Sequence, residues 1–253
     1  MSERFAGRVL YITGAGSGLG RATAQLFAAE GASVFGVDVN QDGLGGTVAT
    51  IRRAGGTAEA AVCDVAAMPA VRASVAAAVR AFGRLDILVN AAGIGRSARF
   101  EEIDEAEWER LIAVNLTGVF HTTRAALEHL LARPGGAIVN VASSAGMRGQ
   151  AYAAHYAASK AGVINFTRSI ALEFVSRGLR ANCIAPAGIR SPFIQNFQPR
   201  EDFEKPLVAY YSPPIPHRLS EPEDVAKAIA YLASDDARMI VGAVLVADWG
   251  TLA

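Results

Sequence analysis

The chain has 253 residues, 51% of them hydrophobic, enough for one α/β domain with a sizeable core. Its 24 basic and 24 acidic side chains cancel, which speaks against electrostatic capture of nucleic acid or of an acidic membrane surface. Cys63 and Cys183 lie inside apolar runs, and His121, His129, His155 and His217 show no ligand spacing, so neither a disulfide frame nor a metal centre is expected.

The N-terminal residues run directly into a predicted strand, RVLYIT, so no signal peptide is expected. No apolar run reaches the length of a membrane span, and the expectation is a soluble cytoplasmic protein. GLGRATAQLFAAEG then reads as a helix closed by Gly31, and ASVFGVD as a second strand. A helix over 41–54 leads to a third strand, GTAEAAVCD; a helix over 68–82 leads to a fourth, RLDILVN. EAEWERLIAVNLTGVFHTTRAALEHLLA is expected to form one long helix before a fifth strand, GAIVNVAS. A helix over about 152–176 precedes the sixth strand, GLRANCIAP. Ser220 and Glu223 predict a capping box opening the helix EPEDVAKAIAYLAS, and AVLVAD is the seventh strand.

Near-continuous runs of valine, isoleucine and leucine belong in a parallel sheet buried on both faces. With strand–helix alternation, they predict a single-domain Rossmann-type doubly wound sheet of about seven strands, flanked by helices and spanning 1–253. The stretch 187–219 is rich in proline and aromatics. It is too long for an idle connection and reads as a lid over a binding site.

The first strand runs into Thr13-Gly14-Ala-Gly-Ser-Gly18-Leu-Gly20 and then a helix. Glycines there let backbone approach a pyrophosphate, and the helix N-terminus offers free N–H groups. Asp38 ends the second strand, where a carboxylate can accept hydrogen bonds from an adenosine ribose and repel a 2′-phosphate. No arginine or lysine lies in the glycine loop or directly after Asp38, so NAD is predicted over NADP. Asp64 ends the third strand and could meet an adenine edge. Asn90-Ala-Ala-Gly93 ends the fourth, where small residues permit close approach of a cofactor.

Tyr156 and Lys160, four residues apart, share one helical face. A lysine charge at about 4 Å, at an effective dielectric of about 20, supplies about 4 kcal/mol, enough to bring a phenol from about 10 to about 7. The chain holds three lysines against twenty-one arginines, which makes a lysine at this place less incidental. Ser143 lies thirteen residues before the tyrosine, and Asn115 further upstream.

Taken in order, Thr13, Gly14, Gly18, Gly20, Asp64-Val65, Asn90-Ala-Ala-Gly93, Asn115, Ser143, Tyr156, Lys160 and Pro186 resemble the NAD-dependent short-chain dehydrogenases/reductases over essentially the whole chain. The resemblance implies that Tyr156 is the general acid/base. Lys160 would lower its pKa and hold the nicotinamide ribose, Ser143 rather than Ser144 would bind the reacting oxygen, and Asn115 would hold a water leading from Lys160 to solvent. It also implies a cofactor site of Gly14, Ser17, Gly18, Leu19, Asp38, Asp64, Val65, Asn90, Ala91, Gly93, Tyr156, Lys160, Pro186, Ile189 and Ser191, and a homo-oligomer, a tetramer by family habit. Two departures stand out: Pro186-Ala187-Gly188 where the family has Pro-Gly, and Asp248-Trp249-Gly250 where it has Asp-Gly-Gly.

For the substrate, a small molecule, the expected pocket residues are Arg96, Arg148, Gln150, Tyr152, His155, Phe193 and Phe197. Either arginine could take a carboxylate, and the aromatics suit a partly apolar or cyclic compound. The leading expectation is an NAD-dependent secondary-alcohol dehydrogenase. Its alternatives are a 3-oxoacyl carrier-protein reductase, with Arg133 and Arg177 near the carrier, and a non-catalytic NAD-binding sensor or scaffold. The intact Asn115/Ser143/Tyr156/Lys160 set argues against the last.

Overall fold

A computed structural model describes residues 3–212 and 219–253; the last part of the expected lid, 213–218, and His217 lie outside the described residues. Strands β1 (Val9–Thr13), β2 (Ser33–Asp38), β3 (Thr57–Val62), β4 (Ile87–Asn90), β5 (Ala137–Val141), β6 (Arg180–Pro186) and β7 (Val244–Ala247) form one parallel sheet in the order β3-β2-β1-β4-β5-β6-β7. The chain reverses its direction of sheet growth between β1 and β4, and a crevice opens there beyond the strand carboxyl ends.

Alternation along each strand feeds two apolar layers. Leu10, Ile12, Val34, Val89 and Ile184 face α1 (Gly18–Ala29), α2 (Gln41–Arg53) and α8 (Pro222–Ala233) through Phe27, Ile51 and Ile229. Tyr11, Phe35, Leu88, Ile138 and Ala181 face α3 (Met68–Phe82), α5 (Gly118–Leu131) and α6 (Ala154–Phe174) through Val75, Leu130 and Ile170. Both faces are covered, which is why the strands read as apolar runs rather than as an alternation of apolar and polar residues.

Two expectations are corrected. The long helix after β4 is interrupted: α4 (Glu105–Ile112) passes through a five-residue π turn, Ala113–Thr117, before α5. The extra residue in that turn leaves Asn115 fully buried and facing inward, and such turns recur where function needs one residue re-aimed. The expected capping box is also absent. Ser220 Oγ accepts a hydrogen bond from Trp249 Nε1 at 3.0 Å, and α8 starts instead from Glu221 with Pro222 in its first turn. Proline there carries a preset φ and gives up only an N–H that would have no helical partner.

Within the expected lid, a 3₁₀ segment (Pro192–Phe197) is followed by the short helix α7 (Lys205–Tyr210). Tyr152 lies flat on Phe203, with centroids 3.9 Å apart and planes at 3°, and its hydroxyl accepts from Glu204 N at 3.0 Å. Arg200 pairs with Glu102 at 2.6 Å and with Asp202 at 2.7 Å, while Arg99 pairs with Asp202 at 3.2 Å. This stretch is thus tied to the segment that follows β4.

Candidate active site

The carboxyl ends of the central strands enclose a cleft of about 630 Å³, within the usual span of ligand sites. At one end Gly14, with φ +72°, approaches β4 so closely that a Cβ would lie 2.9 Å from Ala92 N. A Cβ on Gly20 would meet Gly14 O at 2.0 Å, so the first turn of α1 packs directly on the loop. Thr13 Oγ1 accepts from Ala91 N at 3.1 Å and from Ala92 N at 3.0 Å, fixing the spacing of the two strand ends. Asp38 is oriented by Gly16 N and Asn40 N, each at 2.9 Å, which leaves carboxylate lone pairs free to take ribose hydroxyls. These features fit a dinucleotide: a glycine cradle without room for side chains, the open N-terminus of α1, and one fixed carboxylate.

Every residue expected at the cofactor lines this cleft except Asn90. Its side chain is spent inside the sheet. Nδ2 donates to Asn140 Oδ1 at 2.8 Å, and Oδ1 accepts from Thr122 Oγ1 at 2.6 Å. Thr167 Oγ1 extends the chain by accepting from Asn140 at 2.8 Å, and all four residues are buried. The polar string joins β4, β5, α5 and α6, so Asn90 supports the cleft floor rather than a ligand. Arg110 went unforeseen. It reaches from α4 to Asp64 at 3.0 Å on the cleft wall, and no local motif links residues so far apart in the chain.

Tyr156, Ser143 and Lys160 converge on the cleft from α6 and the end of β5. Lys160 Nζ donates to Val141 O at 2.8 Å and lies 5.7 Å from the centre of the Tyr156 ring. The site does not show the lowered phenol expected from the lysine. Burial pushes Tyr156 up to about 12, against the pull of a hydrogen bond with Ser143, and burial brings Lys160 down to about 8. Desolvation, which disfavours the charged form of each group, is the largest influence on both.

Asn115 grips the backbone of Ile94: Nδ2 donates to Ile94 O at 2.8 Å and Oδ1 accepts from Ile94 N at 2.9 Å. Nδ2 also donates to Ser159 Oγ at 3.2 Å. Gly93 lies between Asn115 and Lys160: its Cβ would stand 3.4 Å from Asn115 Oδ1 and 3.6 Å from Lys160 Nζ.

Of the expected substrate residues, Gln150, Phe193 and Phe197 line the cleft; Arg96, Arg148, Tyr152 and His155 do not. Phe197 meets the Tyr156 ring edge-on at 5.0 Å, and Phe193 lies 5.2 Å from Phe197, giving the acid/base group an aromatic wall. Arg96 is instead paired with Glu107 at 2.5 Å, and fully buried His155 contacts the other oxygen of Glu107 at 3.2 Å. Arg148 stacks on Tyr210 at 4.3 Å and donates to its carbonyl at 2.7 Å. The sequence placed all four near the site but could not show that nearby carboxylates, rings and carbonyls already engage them.

A doubly wound sheet with a glycine cradle, an oriented carboxylate at the end of β2 and a Ser–Tyr–Lys cluster defines a dinucleotide-dependent oxidoreductase acting on the CH–OH/C=O couple. The chain belongs to the short-chain dehydrogenase/reductase family: the family model described as enoyl-(acyl carrier protein) reductase matches residues 14–251. The cis-4-hydroxycyclohexanecarboxylate dehydrogenase of Sinomonas cyclohexanicum is 43% identical over 251 residues, covering 99% of this chain and 98% of that protein. The 2,5-dichloro-2,5-cyclohexadiene-1,4-diol dehydrogenase of Sphingobium indicum is 41% identical, with coverage of 99% and 98%. A short-chain dehydrogenase from Mycobacterium paratuberculosis, crystallised bound to NAD, superposes with a TM-score of 0.91 at 30% identity, covering 98% of each chain. Among the described residues, no helix is long and apolar enough to cross a membrane, and no cluster suits a metal ion.

Proposed function

We propose that this protein is an NAD-dependent dehydrogenase of cyclic secondary alcohols, forming the matching ring ketone. The observation that carries the reading is Tyr156 in the cleft beside Ser143, Lys160 and the Phe193/Phe197 wall, with Asp38 at the other end. When bound, NAD supplies the hydride acceptor. Tyr156 takes the proton of the substrate hydroxyl as the C–H electron pair leaves, and Ser143 Oγ holds the same oxygen. Lys160 supplies the positive charge that makes a buried phenolate tolerable, so the tyrosine can work as a base. The aromatic wall excludes water and offers flat apolar surface to a ring. The cofactor contacts proposed are those of Gly14, Ser17, Gly18, Leu19, Asp38, Asp64, Val65, Ala91, Gly93, Pro186, Ile189 and Ser191, together with Tyr156 and Lys160. Asn115 is assigned the water path to Lys160.

The reading extends to a cytoplasmic homotetramer. Phe120 on α5, Leu172 on α6, and Val246 and Trp249 around the edge strand β7 are exposed apolar side chains on faces that a second copy would cover. Both cysteines are buried and unpaired, as suits a reducing compartment.

The test is NADH formation from cyclohexanol, in parallel with NADPH formation from NADP. Turnover with NAD and weaker turnover with NADP is the expected result. A preference for NADP with a 3-oxoacyl thioester as the better substrate would replace this reading with the carrier-protein reductase.

A further inference from the structure

Three polar side chains in the cleft have no task in the chemistry above. Ser144, Gln150 and Tyr211 line both the main cleft and a small recess beside it, where the chain's last turn contributes Thr251 and Leu252. The Tyr211 hydroxyl is shielded from solvent and has no hydrogen-bond partner among the described residues. Ser144 Oγ and the Gln150 amide likewise make no hydrogen bond among the described residues. A shielded hydroxyl without a partner is unfavourable, and a folded chain rarely leaves one unless something else binds there.

The position is built rather than incidental. Tyr211 directly follows α7. Arg148 anchors the end of that helix through the Tyr210 carbonyl at 2.7 Å, and the Tyr152 hydroxyl anchors its start through Glu204 N at 3.0 Å. Burial, followed by the nearby Tyr152, raises the Tyr211 phenol above its usual value, so it remains a proton donor at neutral pH. All three groups are uncharged. The nearby cation, Arg148, is already stacked on Tyr210 and bonded to its carbonyl.

We propose that Tyr211, with Gln150 and Ser144, binds a second, uncharged oxygen of the substrate, so that the preferred substrate is a ring diol or hydroxyketone rather than a simple ring alcohol or a ring carboxylate. The inference rests on the dehydrogenase reading above and makes Tyr211 a specificity-determining residue. A phenol donor, an amide and a hydroxyl match the donor and acceptor needs of a hydroxyl or keto group. A carboxylate would have to draw Arg148, which also lines the recess, away from the Tyr210 ring and carbonyl.

The experiment compares kcat/KM for cyclohexanol, a panel of cyclohexanediol isomers and 4-hydroxycyclohexanecarboxylate in the wild-type protein, Tyr211→Phe and Arg148→Ala. The wild type is expected to favour its best diol over cyclohexanol, and Tyr211→Phe is expected to lower that ratio about tenfold, equivalent to about 1.4 kcal/mol. Taking a ratio within each variant removes any general loss of folded enzyme. A diol-to-cyclohexanol ratio unchanged in Tyr211→Phe would overturn the proposal while leaving the dehydrogenase reading intact. So would a wild-type preference for the carboxylate that Arg148→Ala abolishes. Tight NADH binding without turnover of any ring alcohol would overturn the dehydrogenase reading itself, and this inference with it.

Discussion

Burial holds Tyr156 as a neutral phenol and makes the Lys160 amine give up its proton more readily. The lysine's depressed value has a consequence for stability. Below about 8 both folded and unfolded chains carry the charged amine, and the folded chain bears the desolvation cost; above the ordinary 10.5 both carry it neutral. Between these values the unfolded chain binds more protons, so stability contributed by this site rises with pH. The stability of the cofactor-free protein relative to Lys160→Met should therefore rise across that window, by up to about 1.4 kcal/mol per pH unit. Denaturant titrations of the two proteins at several pH values check this, and parallel curves would count against the buried charge. The residue set itself was legible, because the spacing of Tyr156 and Lys160 fixes a shared helical face. The direction of the phenol's shift was not. A pairwise Coulomb estimate contains the partner, but burial comes from Phe193, Phe197 and other residues remote in sequence.

Elements place these side chains, and two of them invite direct tests. β2 delivers Asp38 to the glycine loop already oriented by two backbone N–H groups. Asp38→Ala should weaken NADH binding about tenfold, the scale of lost charge-assisted hydrogen bonds, and relax discrimination against NADPH. Fluorescence titration with both nucleotides checks it, and tighter wild-type binding of NADPH would refute the role given to Asp38. The proposed lid is held by the Tyr152–Phe203 stack and by exposed ion pairs that contribute little individually. Phe203→Ala should loosen it locally and speed tryptic cleavage at Arg200 about tenfold for about 1.4 kcal/mol of lost local stability, with the midpoint of global unfolding little moved. Unchanged cleavage would mean that the ring does not hold the lid. The existence and order of the helices could be read from apolar periodicity. The π turn at Ala113–Thr117 could not, since inserting one residue barely disturbs that periodicity over two turns. The capping box failed for a different reason: the partner that claims Ser220, Trp249, comes from the far end of the chain. Trp249 itself has φ +55°, a conformation natural to the glycine that its relatives' pattern led us to expect there.

For the whole molecule, the topology was the most legible property, because apolar strands alternating with amphipathic helices admit few arrangements once crossovers are right-handed. Contacts that close the cleft were not legible: Arg99 to Asp202, Arg110 to Asp64 and Asn90 to Asn140 join segments that no motif relates. With zero formal charge and exposed apolar side chains on α5, α6 and beside β7, the chain should self-associate. Light scattering at micromolar concentration should give four times the 26.4 kDa chain mass, and a monomer would contradict the assembly. The central claim concerns chemistry at one phenol. Its most direct test is the rate of NADH formation from NAD and a ring alcohol by the wild type and by Tyr156→Phe, with NADH affinity measured on both. The account predicts turnover by the wild type and a loss of at least about 100-fold in the variant at unchanged NADH affinity. An undiminished rate in Tyr156→Phe would contradict it.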